Sequence, residues 1–327
     1  MKNVKIQAKM VSVLILSLAF LLVPVLVKAS TACKESARAI LGACQMKASA
    51  QYWVTSAACM NVSSEDDKGE CEKEASDTLS SGLEDCMDQF DARLMACDLL
   101  NEDIYDPEID PADFSANITN EYFPLVPGTV YTYRGVDEDG IEFQDRVEVL
   151  DQTTEIDGVR CRVVRDVVTQ DGELLEETYD FYAQDSQGNV WYFGEDSRSY
   201  ENGWISNIDG AWYTGIQWAK PGIIMMAMPH VGAIYRQEYD PGNAEDMAYV
   251  VALGEHVQVT YGSYSNCIKT LDWSPFEPET IEYKYYAPGV GFVKSISNTG
   301  ETLELVSITN KETGGAQKTG EDEGTSH

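Results

Sequence analysis

Residues 33–97 read CKESARAILGACQMKASAQYWVTSAACMNVSSEDDKGECEKEASDTLSSGLEDCMDQFDARLMAC and hold six of the chain's eight cysteines. Taken from the outside inward, Cys33 with Cys97, Cys44 with Cys86 and Cys59 with Cys71 each have positions summing to 130. A constant sum is the register of two antiparallel segments folded about a midpoint, here near Glu65. The stretch therefore predicts a helical hairpin crossed by three nested disulfides, Cys33–Cys97, Cys44–Cys86 and Cys59–Cys71.

Helical spacing supports the hairpin. In the first arm Cys33, Ala37, Ile40, Leu41, Cys44, Ala48, Tyr52, Thr55 and Cys59 recur at steps of three or four, which lays them along one face of a helix. Cys71, Ala75, Leu79, Gly82, Cys86, Phe90, Leu94 and Cys97 repeat the pattern in the second arm. The same register sets Ala48 near Gly82. Ser63-Ser64-Glu65-Asp66-Asp67 between the arms is rich in residues that start helices. Six cysteines allow fifteen connectivities, so spacing favours the ladder without excluding the others. A zinc cage would want gaps of about two to four residues and usually histidine; the gaps here are 10, 14, 11, 14 and 10, with no histidine nearby. The arrangement is similar in topology to the twin-cysteine hairpins of the coiled-coil-helix-coiled-coil-helix class. Those have two rungs and nine-residue gaps.

Upstream, Lys2, Lys5 and Lys9 precede an apolar run from Met10 to Val27, and Val27-Lys28-Ala29 offers small residues for cleavage. Residues 1–29 thus read as an export signal, and a retained membrane anchor is not expected because Pro24 interrupts a run of marginal length. Export and an even cysteine count agree on an extracytoplasmic location, periplasmic or secreted. The formal charge is −32, from 55 acidic and 23 basic residues; losing the four lysines of residues 1–29 takes it to −36. So acidic a chain repels nucleic acid and anionic lipid, leaving divalent cations or basic proteins as partners for its surface. With 43% hydrophobic and 10% aromatic residues, it can still bury a core.

The hairpin is expected over 30–101 and an Asp/Pro-rich linker over 102–120. Asp103, Asp106, Asp110 and Asp113 could gather calcium, but no D-x-D-x-D-G loop surrounds them, and a solvated spacer is the plainer reading. From 121 to 309 the pattern changes to period two: Tyr131 and Tyr133 share a face, Val147 and Val149 alternate with Arg146 and Glu148, Tyr283 and Tyr285 with Glu282 and Lys284. Turns are marked at Asp139-Gly140, Asp171-Gly172, Gly188-Asn189, Asn202-Gly203, Asp209-Gly210 and Thr299-Gly300. DSQGNVWYFGE (Asp185–Glu195) is the clearest hairpin, with Trp191 and Phe193 on one face and Val190 and Tyr192 on the other. Ten to twelve strands are expected. The fold class is α+β: a disulfide-laddered antiparallel helical hairpin followed by a curled antiparallel β-sheet domain, as barrel, half-barrel or sandwich. GVRCRVVRD (Gly158–Asp166), DSQGNVWYFGE, KPGIIM (Lys220–Met225) and YYAPGVGFVK (Tyr285–Lys294) resemble segments of an uncharacterised set of secreted bacterial β-rich proteins. That resemblance implies an exported β-domain and carries no catalytic residue. Residues 310–327, polar and without apolar anchors, read as a disordered tail.

Chemistry is sparse. His327 lies in the tail and His256 sits in an alternating strand; with no G-x-S-x-G, a serine triad has no elbow to stand on. No catalytic residue and no cofactor is implied. Met225, Met226, Met228 and His230 place three thioethers and an imidazole within six residues, a donor set that suits Cu(I); the same methionines equally suit core filler. Trp191, Trp204, Trp212, Tyr213 and Trp218 fall within 28 residues, and a curled sheet could gather them around an apolar cavity or bury them as core. Cys161 and Cys267 lie in strand-like segments and are expected to pair, with two separate buried thiols as the competing reading. The functional expectation is an exported, non-enzymatic binding protein for an apolar small ligand or a protein partner, or a cell-surface structural protein. An extracytoplasmic hydrolase or a copper- or calcium-handling protein are the alternatives.

Overall fold

Ser64 opens the second helix as the spacing requires, its hydroxyl accepting from Asp67 N at 3.4 Å. In the computed structural model, which describes residues 31–101 and 103–310, helix α1 runs Ala32–Cys59 and α2 runs Glu65–Leu100. The export signal and the tail beyond Asn310 lie outside the described residues. All three rungs form: Cys33–Cys97, Cys44–Cys86 and Cys59–Cys71, with Cα separations of 5.9, 5.8 and 5.7 Å. Small residues let the arms approach this closely; a methyl placed on Gly82 would sit 3.4 Å from Ala48 Cβ. No helix among the described residues is long and apolar enough to cross a membrane.

The remaining chain forms strands β1 (Phe114–Ser115), β2 (Thr129–Val136), β3 (Glu142–Ile156), β4 (Val159–Gln170), β5 (Glu173–Asp185), β6 (Val190–Glu201), β7 (Trp204–Asn207) and β8 (Trp212–Tyr213). They continue as β9 (Lys220–Met225), β10 (Ile234–Arg236), β11 (Glu238–Tyr239), β12 (Met247–Val259), β13 (Gly262–Trp273), β14 (Ile281–Ala287), β15 (Gly291–Ser297) and β16 (Thr302–Asn310). Eleven of these have six residues or more, within the expected number; the others are short pieces that alternation cannot reveal. Every pairing is antiparallel, in the order β10-β12-β13-β14-β15-β16-β2-β3-β4-β5-β6-β9-β11. Because β10 and β11 are successive halves of one segment, residues 234–239 touch both ends of that order and nearly close the sheet into a barrel. Gly222 makes the seam possible, since a Cβ there would fall 2.3 Å from the carbonyl carbon of Gln237.

Turn chemistry places the long hairpins. Asp171 and Gly172 have φ of 52° and 85°, and Asn202 and Gly203 of 52° and 77°, the paired positive φ of a twisted two-residue turn. In the 185–195 hairpin Asp185 accepts from Gln187 N and Asn189 N at 2.9 Å, and from Trp191 Nε1 at 2.9 Å.

Residues 103–120 pack along the sheet instead of spanning solvent. Asp103 accepts from Ala32 N at 2.7 Å, Asp106 pairs with Lys220 at 2.6 Å, and Asp110 accepts from Ala112 N at 3.0 Å. Three of the four aspartates thus have separate local partners. Ile109 and Phe114 cover the outer face of β4 and β6. The hairpin is joined to the barrel as one compact unit. Ala92, Ala96 and Leu100, one stripe of α2 at steps of four, pack on Ile234, Met247, Leu271, Trp273 and Ile281.

Candidate ligand-binding cavity

Side chains that alternate inward along the strands leave the barrel partly hollow. A cavity of about 560 Å³ is walled by Tyr131 and Tyr133 of β2, Asp145 and Val147 of β3, Val164 and Asp166 of β4, and Glu176, Asp180 and Tyr182 of β5. Glu282, Lys284 and Tyr286 of β14 close the far side, with Phe292, Leu303 and the 123–125 loop. On β14 the alternation is present but the faces are opposite to hydropathy. Glu282 and Lys284 face the cavity, whereas Tyr283 and Tyr285 lie on the other side under the Lys269 ammonium, 3.9 Å from the Tyr283 ring centroid.

Much of the aromatic lining is fixed by its hydroxyls and neighbours. Tyr133 donates to Phe292 O at 3.1 Å and Tyr131 to Pro124 O at 3.4 Å. Tyr182 stacks on Tyr192 at 4.8 Å, and the Tyr192 hydroxyl lies 2.5 Å from Asp180 Oδ1 and 2.9 Å from Glu195 Oε2, with one proton to donate between them. These bonds hold the rings as preset walls.

The carboxyls fall into two groups. Lys284 lies 3.3 Å from both Asp272 and Glu282. Burial works against its charge, but those two carboxylates outweigh it and hold the ammonium well above its ordinary pKa. Glu282 is lowered for the reciprocal reason, Lys284 and Ser295 outweighing burial. The opposite wall has no cation. Burial, reinforced by the neighbouring Asp166, pushes Asp145 well above the carboxylate range; burial, then Glu195 and Asp166, does the same to Asp180. Asp145 and Asp166 are diagonal neighbours on the paired strands β3 and β4, and the charge of Asp166 adds to the rise of Asp145. No protein donor reaches Oδ1 of either residue.

The residues singled out in the sequence do not line this cavity. Trp212 is buried behind the wall, donating to Glu238 Oε2 at 2.8 Å. Trp191 packs with Phe114 on the outer face, and Tyr213 stacks on Phe181 at 5.7 Å. Trp204 and Trp218 are 79% and 85% exposed, so the five aromatics form no common pocket. The methionine–histidine cluster is dispersed: Met225 is core, Met226 packs against that core, and Met228 and His230 are exposed. β9 ends at Met225, and the chain beyond it carries Met228 and His230 to the surface while Met225 stays in the core, which removes the shared thioether–imidazole site.

The expected Cys161–Cys267 bridge is absent; both are free, buried thiols. Five strands separate β4 from β13 in the sheet order, whereas a disulfide needs Cα atoms within about 7 Å. Cys161 belongs to the cluster under Phe114 and Cys267 to the barrel core. Burial pushes the Cys161 thiol up to about 12. His256 Nδ1 lies 3.0 Å from Ser265 Oγ, but this exposed pair is not part of the cavity wall. Sequence reasoning missed Asp145, Asp166 and Asp180 because an inward carboxyl looks like any other of the chain's 55 acids until the barrel closes.

No family model matches the chain. No curated protein matches it either. Among solved structures it is similar to a Bacteroides fragilis protein provisionally described as exported with a YmcC-like fold, at TM-score 0.35 and 16% identity over 59% of this chain and 100% of that one. A Parabacteroides distasonis protein provisionally described as a lipoprotein is similar at TM-score 0.33 and 16% identity, over 57% of this chain and 98% of the other.

Proposed function

We propose that this is an exported, non-enzymatic binding protein that holds one small molecule inside its barrel. The observation that carries the reading is the cavity of about 560 Å³ with a preset aromatic wall and a few convergent carboxyls, the size and make-up of small-ligand sites. Three disulfides suit a compartment where such bonds persist. The ligand would be amphiphilic instead of wholly apolar, because carboxyls and tyrosines share the lining. Titration with Nile red, a neutral fluorophore, should saturate near one equivalent. Val164→Trp, which fills the cavity, should abolish that signal with the circular dichroism unchanged; equal binding by the filled variant would place the dye elsewhere and defeat the proposal.

A second reading is favoured by one feature. Two neighbouring carboxyls, Asp145 and Asp166, lining one cavity are also the raw material of an aspartic hydrolase's acid–base pair. Turnover in a broad ester, glycoside and peptide screen, lost on Asp145→Asn and Asp166→Asn alike, would replace binding with hydrolysis.

A further inference from the structure

We propose that the barrel cavity is built for a small organic ammonium ion with an apolar body, its N–H groups docking on Asp145 and Asp166. This rests on the binding reading above and names the class of ligand.

The first argument is the orphaned acceptors. Asp145 is only 7% exposed, and neither its Oδ1 nor that of Asp166 meets a protein donor. Buried acceptors without donors are costly and rare in native proteins. An ammonium supplies up to three N–H donors and the missing positive charge in one group.

Charge balance points the same way. Asp145, Asp166, Glu176, Asp180, Glu282 and Glu301 line the cavity against a single Lys284, and that lysine is engaged by Asp272 and Glu282. An anionic ligand entering there would find no unengaged cation and would hold these carboxyls in their protonated form, whereas a cationic one favours their ionisation. A cation would meet carboxyls on β3, β4 and β5 and the faces of aromatic rings, which attract cations by their quadrupoles. Tyr131, Tyr133 and Tyr182 stand beside the dyad along the same strands and their neighbours. Phe123, Val147, Ile224 and Leu303 supply apolar surface for a body attached to that head.

A metal ion fits less well. No grouping of three or more His, Cys, Asp or Glu side chains among the described residues is placed to hold one. Hard cations want six or more oxygens, or several retained waters. The apolar half of the lining offers neither.

Displacement of Nile red from the full mature chain tests the assignment with three ligands of one shape: 2-phenylethylamine, 2-phenylethanol and phenylacetate. The amine should compete at about tenfold lower concentration than the alcohol, or better, the margin of a charge-assisted hydrogen bond over a neutral one. Phenylacetate should be the weakest. In Asp145→Asn/Asp166→Asn the amine's advantage should shrink to about twofold or less while Nile red still binds. Should that variant fail to fold, Asp166→Asn alone serves, and the wild-type series stands without either. Saturable Nile red binding with amine and alcohol equal would overturn the ammonium assignment and leave the cavity reading standing. Absence of Nile red binding together with absence of binding by all three ligands would overturn both.

Discussion

Arg93 reaches from α2 into the barrel, and its guanidinium grips Glu245 through Nε at 2.9 Å and Nη2 at 2.7 Å. Both side chains are nearly sealed, at 6% and 3% exposure, and Glu245 also accepts from Gly242 N at 2.6 Å. Neither charge can retreat to water if its partner is lost. Arg93→Ala or Glu245→Ala should therefore cost about 3–5 kcal/mol in denaturant unfolding. Arg93→Met/Glu245→Leu should recover most of that loss, because packed apolar groups replace a desolvated pair without leaving a bare charge. A double variant as unstable as the single ones would mean the pair stabilises by more than avoiding its own rupture. The pair was invisible in sequence: 152 residues separate its members, and Arg93 merely follows the helical stripe that carries Ala92 and Ala96.

At the scale of the element, the hairpin is a pair of helices with little apolar surface between them. Met46, Trp53, Val54 and Met60 of the hairpin are all more than 60% exposed, so its core is chiefly alanine, glycine and sulfur. Such an interface contributes little burial energy, and the disulfides should supply the rest. The closed segments span 64, 42 and 12 residues; taken one at a time, loop-closure entropy assigns about 4 kcal/mol to the outermost and about 3 to the innermost. Reduction of the folded chain should accordingly lower the helical signal at 222 nm while the barrel's near-ultraviolet spectrum persists. Loss of both signals together would show that the barrel depends on the ladder. Non-reducing peptide maps should return Cys44–Cys86. A Cys33–Cys44 fragment would contradict the register.

Over the whole molecule, burial in the barrel favours the protonated form of several acids. Burial, with some help from neighbouring carboxylates, raises Asp145, Asp180 and Glu238 well above their ordinary values. Burial also brings Glu195 from 4.5 to about 7, against the opposing bond from Tyr192. A carboxyl whose pKa is higher folded than unfolded binds more protons in the native state. Its contribution is complete below its unfolded value and is lost as pH rises through the folded one. Each tenfold preference between protonation states is worth about 1.4 kcal/mol, so Glu195 alone represents a loss on the order of 3 kcal/mol between about pH 4.5 and 7. Glu177 and Glu282 run the other way: Arg165 and Lys284 respectively hold them low, and acid below the ordinary carboxylate range costs their contribution. Stability should peak in mild acid. Scanning calorimetry should give a higher midpoint at pH 5 than at pH 8, and the reverse order would show that these acids are ionised and satisfied in the native state.

Local chemistry by itself determined the ladder, the capped start of α2, the long hairpins and the period-two faces. Each depends on residues a few positions apart or on a symmetry of spacing, and the Asp185–Glu195 hairpin forms with its two faces as expected. The tertiary structure alone decided which face of a strand is inside. On β14, hydropathy favours Tyr283 and Tyr285 for the interior, but Lys284 takes that side because Asp272 and Glu282 neutralise it there. It also decided that Cys161 and Cys267 stay apart, that the tryptophans scatter, and that residues 103–120 pack as a strap. Above all it made the candidate site. Asp145 and Asp166 are ordinary acids on alternating strands until β3 and β4 pair, and only closure of the sheet removes the water that would otherwise have satisfied them.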